Sequence, residues 1–274
     1  MKNRTALVTG ASSGIGLEIS KELAKKNMNL VLVARGKDRL IEIAQTIEHK
    51  YNVTVLPLSY DLMDEMSVDK IYNDLSAKRI NIDMLVNNAG CVEYGTFVGV
   101  PVEKAINMLM LNNNALVRMV HRFLPDFIAE GRGRILNVSS ITGFQPTPLI
   151  SVYGATKAFT LSFTEALSIE LHGTGVKATA LCPGVTDTGM IQAVSDEHSD
   201  SIYIPDFMTG DPKSVAKCGV NASLSGKVIE IPGISNKIAV SASRFQPKWV
   251  YRNISTLITK VALKKLVGSD PCRP

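Results

Sequence analysis

The sequence predicts an α/β fold: a single Rossmann-like, doubly wound domain around a central parallel sheet of about seven strands. Three observations carry that expectation. Short apolar runs alternate with longer amphipathic stretches along the chain. A glycine-rich turn separates the first apolar run from the first amphipathic one. A length of 274 residues, with 45% apolar and 20% charged residues, suits one α/β domain with an extensive core.

The elements follow in order. Ala6–Thr9 reads as the first strand. Ile15, Ile19 and Leu23 then recur every four residues and mark a helix. Leu30–Ala34 is the second strand, and Leu40, Ile43, Ala44 and Ile47 mark the second helix. Further strands are expected at Val53–Leu58, Met84–Asn87, Ile135–Val138 and Val176–Leu181, with a seventh at Lys227–Ile231. Long helical segments are expected over roughly 101–130 and 152–172. The βαβ rhythm implies parallel strands covered on both faces. Residues 189–225 are more polar and less periodic, and read as a loop or lid over a substrate site. The domain then spans 1–245, followed by a basic extension over 246–274.

That extension holds much of the net charge of +5. It carries six basic residues against Asp270 alone, which leaves 24 of the 30 basic and 24 of the 25 acidic residues in 1–245. The body is therefore neutral and bears no nucleic-acid motif, so no nucleic-acid partner is expected. Val250, Ile254, Leu257, Ile258 and Val261 recur at three and four and predict an amphipathic helix with a basic opposite face. Such a helix either packs on protein or lies on an anionic membrane as a peripheral contact. Cys91, Cys182, Cys218 and Cys272 have no metal or disulfide spacing. With no signal-peptide pattern and no apolar run of about 20 residues, a cytoplasmic location is expected. His49, His121, His172 and His198 lack ligand spacing, and no metal is expected.

The turn Thr9-Gly-Ala-Ser-Ser-Gly-Ile-Gly16 has the spacing G-x-x-x-G-x-G. Gly10 would permit the turn, Gly14 would admit a pyrophosphate to the backbone, and Gly16 would let helix pack on strand. Ser12 and Ser13 could add hydroxyl contacts, and Ile15 opens the helix. At the tip of the second strand a dinucleotide site distinguishes its cofactors. An acid there holds ribose hydroxyls, whereas an arginine suits a 2′-phosphate. This chain has Arg35 and no acid, so NADP(H) is expected over NAD(H); Arg35 could also stack on the adenine.

Tyr153 and Lys157 lie four residues apart, on one face of a helix. A tyrosine with a pKa near ~10 is a poor acid–base catalyst until a neighbouring cation favours its anion. Ser140, thirteen residues upstream, could hydrogen-bond a carbonyl oxygen in the same site. Alone, a Tyr-x-x-x-Lys pair is common on solvated helices.

Taken together, these motifs resemble the short-chain dehydrogenase/reductase family over residues 5 to about 190. Thr9–Gly16, Asp61-Leu62, Asn87-Asn-Ala-Gly90, Leu111-Asn-Asn-Asn-Ala115, Asn137-Val-Ser-Ser140, Tyr153-Gly-Ala-Thr-Lys157 and Pro183-Gly184 follow the family's blocks in order. The resemblance implies cofactor contacts at Asp61, Leu62, Asn88, Ala89, Gly90, Pro183, Gly184, Thr186 and Thr188, besides the glycine loop, Tyr153 and Lys157. It implies a catalytic set of Asn112, Ser140, Tyr153 and Lys157, with Asn113 as the rival for the asparagine role. Tyr153 would donate a proton to a carbonyl oxygen as hydride arrives, and Lys157 would lower its pKa and hold the nicotinamide ribose. Ser140 would polarise the carbonyl, and Asn112 would hold a water linking Lys157 to solvent. The blocks look like those of ketoacyl- and hydroxysteroid-type reductases. An apolar ketone or oxoacyl substrate and a homodimer or homotetramer are the expectations that follow. Met190, Ile191, Val194, Ile202, Tyr203, Ile204, Phe207 and Met208 either line an apolar pocket or pack the loop down. The competing reading is a non-catalytic NADP(H)-binding regulatory protein that keeps the fold.

Overall fold

A computed structural model describes residues 4–186, 209–245 and 256. Seven strands form one sheet: β1 (Thr5–Thr9), β2 (Asn29–Ala34), β3 (Val55–Ser59), β4 (Met84–Asn87), β5 (Gly133–Val138), β6 (Val176–Leu181) and β7 (Ile229–Glu230). Every pairing is parallel, in the order β3-β2-β1-β4-β5-β6-β7. The order reverses between β1 and β4, so the crevice for a ligand opens at the carboxyl ends of those strands.

Eight helices flank the sheet among the described residues: α1 (Gly14–Lys25), α2 (Lys37–Tyr51), α3 (Ser67–Ala77), α4 (Val102–Leu109), α5 (Ala115–Ala129), α6 (Ser151–Glu170), α7 (Pro212–Ser225) and α8 (Ile234–Phe245). Successive strand residues face opposite layers. Val8, Leu32, Val86 and Leu136 pack against Ile19 and Leu23 of α1, Leu40 and Ile47 of α2, and Val220 of α7. Leu7, Val31, Leu85 and Ile135 pack against Ile71 of α3, Phe123 and Phe127 of α5, and Leu167 of α6. Burial on both faces explains the continuous apolar runs of the strands.

Four sequence expectations are corrected. The segment 101–130 is not one helix. A five-residue π turn, Met110–Asn114, separates α4 from α5 and buries Asn112. Such insertions change the direction of one side chain without ending the helix. The reading of 189–225 as loop fails at its C-terminal end, because 212–225 is α7. Asp211 caps it by accepting from Lys213 N and Ser214 N, Pro212 occupies its first turn, and Gly226 ends it with φ 76°. Finally, β7 is only two residues long, and β3 starts at Val55 rather than Val53. The expected helix over 246–274 and the apolar residues from Met190 to Met208 lie outside the described residues, as does Thr188.

Candidate active site

A cleft of about 520 Å³ opens where the first six strands end. Each strand delivers part of it, which is why motifs far apart in sequence meet. After β1, Gly10, Ser12, Ser13, Gly14 and Ile15 line its floor. Gly10 and Gly14 have φ 63° and 52°, a backbone that bulkier residues rarely adopt, and this turns the main chain towards the cleft at the N-terminus of α1. Gly16 does not line the cleft. A Cβ there would lie 2.3 Å from Gly10 O and from Asn88 Nδ2, so this glycine lets α1 close on the turn.

Asn88 locks that turn from the neighbouring strand. Its Nδ2 donates to Thr9 O and Gly10 O, both at 3.1 Å, while its backbone N–H donates to Thr9 Oγ1 at 3.0 Å. Thr9 Oγ1 also accepts from Ala89 N. The threonine hydroxyl therefore ties the ends of β1 and β4 together across the switch point. Arg35, at the tip of β2, lines the cleft with an exposed side chain, and among the described residues no carboxylate pairs with it. Asp61 and Leu62 join it from the end of β3, where Asp61 Oδ1 accepts from Met63 N at 3.0 Å. These features fit a dinucleotide: an open main-chain cradle faces the diphosphate position, with an unpaired cation at the adenosine end.

At the far end lie the groups read as catalytic. Ser140 follows β5. Its hydroxyl accepts from Thr142 N at 3.2 Å and donates weakly to Pro183 O at 3.4 Å. Tyr153 and Lys157 project from the first two turns of α6, and Lys157 Nζ lies 5.5 Å from the Tyr153 ring centroid. Lys157 is 6% exposed and donates to Val138 O at 2.9 Å. Its burial pushes the ammonium pKa down from 10.5 to about 8. Burial pushes the Tyr153 phenol up to about 12, against a smaller downward pull from hydrogen bonding with Ser140. Desolvation thus governs the tyrosine in this structure. Lowering of its pKa by Lys157, expected from the resemblance, does not dominate here.

Asn112 sits beneath this pair. A Cβ on Gly90 would lie 3.0 Å from Asn112 Oδ1 and 3.7 Å from Lys157 Nζ, so both side chains converge on that glycine. The amide is already committed: Oδ1 accepts from Cys91 N, and Nδ2 donates to Cys91 O and Thr156 Oγ1. The side chain therefore braces the 90–91 backbone rather than offering a free donor to a water. Asn113 donates to Thr156 O at 2.9 Å and points to the same helix. Pro183, Gly184 and Thr186 close the cleft from β6, and Gly184 packs against Asn236 of α8.

Of the residues expected at the site, all but Gly16, Asn112 and the undescribed Thr188 line one cleft. The sequence reading missed its apolar walls, among them Val92, Tyr94, Pro148 and Ile150. It also missed Thr156, whose hydroxyl donates to Tyr153 O at 2.7 Å. The threonine's place one residue before the lysine was the available signal.

The model of the short chain dehydrogenase family matches residues 4–199. The chain is 32% identical over 253 residues to a very-long-chain 3-oxoacyl-CoA reductase of Rattus norvegicus, covering 90% of this chain and 76% of that protein. It is 37% identical over 209 residues to an NADP-dependent 3-hydroxy acid dehydrogenase of Schizosaccharomyces pombe, covering 74% and 80%. Among solved structures, a short-chain dehydrogenase from Sphingobium yanoikuyae in complex with NADPH superposes with a TM-score of 0.77 at 30% identity, covering 88% of this chain and 93% of that one. The chain belongs to the short-chain dehydrogenase family. It is an NAD(P)-dependent oxidoreductase acting between a carbonyl and an alcohol.

Proposed function

We propose that the protein uses NADP(H) to interconvert a ketone and a secondary alcohol on an apolar ketone or 3-oxoacyl substrate. The observation that carries this reading is the meeting of Ser140, Tyr153 and Lys157 at the apolar end of a cleft whose other end is the glycine turn and Arg35. When bound, the cofactor supplies or accepts the hydride. The chain's own groups handle the proton. With its pKa pushed up to about 12, Tyr153 holds its proton at neutral pH and can give it to the carbonyl oxygen. Ser140 hydrogen-bonds that oxygen, and the Lys157 charge favours the tyrosinate left behind. Val92, Tyr94, Pro148 and Ile150 make the neighbouring surface apolar, in keeping with the 3-oxoacyl and 3-hydroxy acid substrates named for the two relatives. A non-catalytic role is disfavoured, because every acid–base group faces the cleft.

NADP(H) preference rests on Arg35, and the NADPH-bound structural neighbour supports it. NADH use at lower efficiency is compatible with this. Arg35→Asp is expected to lower kcat/KM for NADPH by about 10²-fold or more while NADH falls far less, because a phosphate partner becomes a repulsive charge. Steady-state kinetics with both cofactors checks this, and an unchanged ratio contradicts the role of Arg35.

The assembly reading is a homo-oligomer, a dimer or tetramer. Val102, Ile106 and Leu109 form an exposed stripe along α4, and Phe159 on the adjacent α6 is also exposed. Ile106→Lys is expected to yield monomers in light scattering, and an unaltered mass would argue against this face. A cytoplasmic location is in keeping with Cys91 and Cys218 as thiols. No described helix is long and apolar enough to cross a membrane. For 246–274, packing on protein remains the preferred reading. Co-sedimentation with anionic but not neutral vesicles, lost in high salt, would instead favour a peripheral membrane contact.

A further inference from the structure

Four non-glycine residues among those described have a left-handed backbone: Asn27, Asn52, Arg79 and Leu149. The first three end helices α1, α2 and α3, where that conformation is ordinary. Leu149 ends no helix. Its φ of 68° is an outlier for a bulky side chain and is strained unless the surroundings hold it. Two features bear on it here. Its carbonyl accepts from Gly95 N at 2.8 Å, and Leu149 and Gly95 line one small pocket together with Val100 and Met108. Gly95 is itself unusual, with φ 150°, a region that only glycine adopts readily. Both ends of this hydrogen bond are therefore backbones held in costly or glycine-only conformations.

The bond joins the two walls of the substrate end. Val92 and Tyr94 line the cleft just before Gly95, and Pro148 and Ile150 line it on either side of Leu149. The second wall is seated beside the catalytic tyrosine. Gly154 N donates to Ile150 O at 2.8 Å, and a Cβ on Gly154 would lie 2.1 Å from Thr147 Oγ1. No residue of this clamp belongs to the acid–base set, yet it spans the space a substrate would fill.

We propose that Leu149 is a positioning residue: clamped to Gly95, it fixes the width of the apolar end of the cleft and so the bulk accepted on the carbonyl carbon. The proposal rests on the cleft being a carbonyl site. Leu149→Gly removes both the side chain and the backbone cost, Leu149→Ala truncates the side chain alone, and Gly95→Ala strains the other end. The test compares ethyl acetoacetate with ethyl benzoylacetate, which differ by methyl against phenyl on the ketone, with NADPH as reductant. Amide hydrogen exchange at Gly95 is measured in parallel. In all three variants the kcat/KM ratio is expected to shift towards the phenyl ester by about tenfold, through KM more than kcat, and in the two Leu149 variants Gly95 is expected to exchange about tenfold faster. A merely structural defect would lower both esters equally, so a ratio within about twofold of the original protein overturns the proposal whatever the exchange result. If the unaltered protein reduces neither ester, the 3-oxo reading of the substrate fails. Gly95 exchange then decides the clamp alone, and unchanged protection in Leu149→Gly overturns it.

Discussion

Tyr153→Phe is expected to lower kcat by about 10³-fold or more while leaving NADPH affinity within about threefold, since it removes one proton donor needed only at the transition state. Every group around the ring argues for that division. Burial keeps the phenol protonated, with its pKa pushed up to about 12, and Thr156 holds the Tyr153 carbonyl in place. The apolar ring survives in phenylalanine, so the packing of α6 should persist. Single-turnover rates and cofactor titration together check this. Activity within about tenfold of the original protein would remove Tyr153 from the mechanism.

Lys157→Met is expected to lower kcat/KM by about 10²–10³-fold and, unlike the tyrosine change, to weaken NADPH binding as well. The lysine also sets the pH dependence. Its pKa is pushed down to about 8, so kcat/KM for reduction should be flat below pH 8 and fall above it as the charge is lost. Alcohol oxidation needs tyrosinate and should instead rise with pH. The same burial has a stability consequence of known sign. Between pH 8 and 10.5 the unfolded chain binds the proton that the folded chain has released, so stability rises with pH across that window. Below pH 8 the full penalty, about 3 kcal/mol from the pKa difference, is present. Lys157→Met removes this penalty but also the bond to Val138 O. The variant is therefore expected to be more stable at pH 7 by about 1–2 kcal/mol, though far less active. Denaturant unfolding at pH 7 and pH 10 checks both the gain and its disappearance.

Much of this site was legible because its chemistry is local and repeats at strand ends. Gly10, Arg35, Asp61, Asn88, Ser140 and Pro183 each lie within two residues of the end of a strand, and a parallel sheet must bring those positions to one edge. The π turn at Met110–Asn114 was not legible, because one extra residue shifts helical periodicity too little to break the pattern. Helix α7 carried its end signals, Asp211-Pro212 and Gly226, but its buried face is Val215, Ala216, Gly219, Val220, Ala222 and Ser223. Such small residues give weak contrast with a polar loop. The clamp between Gly95 and Leu149 had no local signature, since it depends on contact between two loops 54 positions apart. The desolvation of Tyr153 was not legible for a related reason: it is a property of the assembled cleft, not of the spacing to Lys157.

The central claim is that this cleft moves a hydride and a proton to a carbonyl under the control of Tyr153. The most direct test follows NADPH consumption and product by mass spectrometry across 3-oxoacyl thioesters of increasing chain length and a set of apolar ketones. The account predicts one alcohol formed per NADPH consumed with at least one of these substrates, and loss of that turnover in Tyr153→Phe with NADPH still bound. Tight NADPH binding with no turnover of any substrate, in unaltered and Tyr153→Phe protein alike, would contradict it.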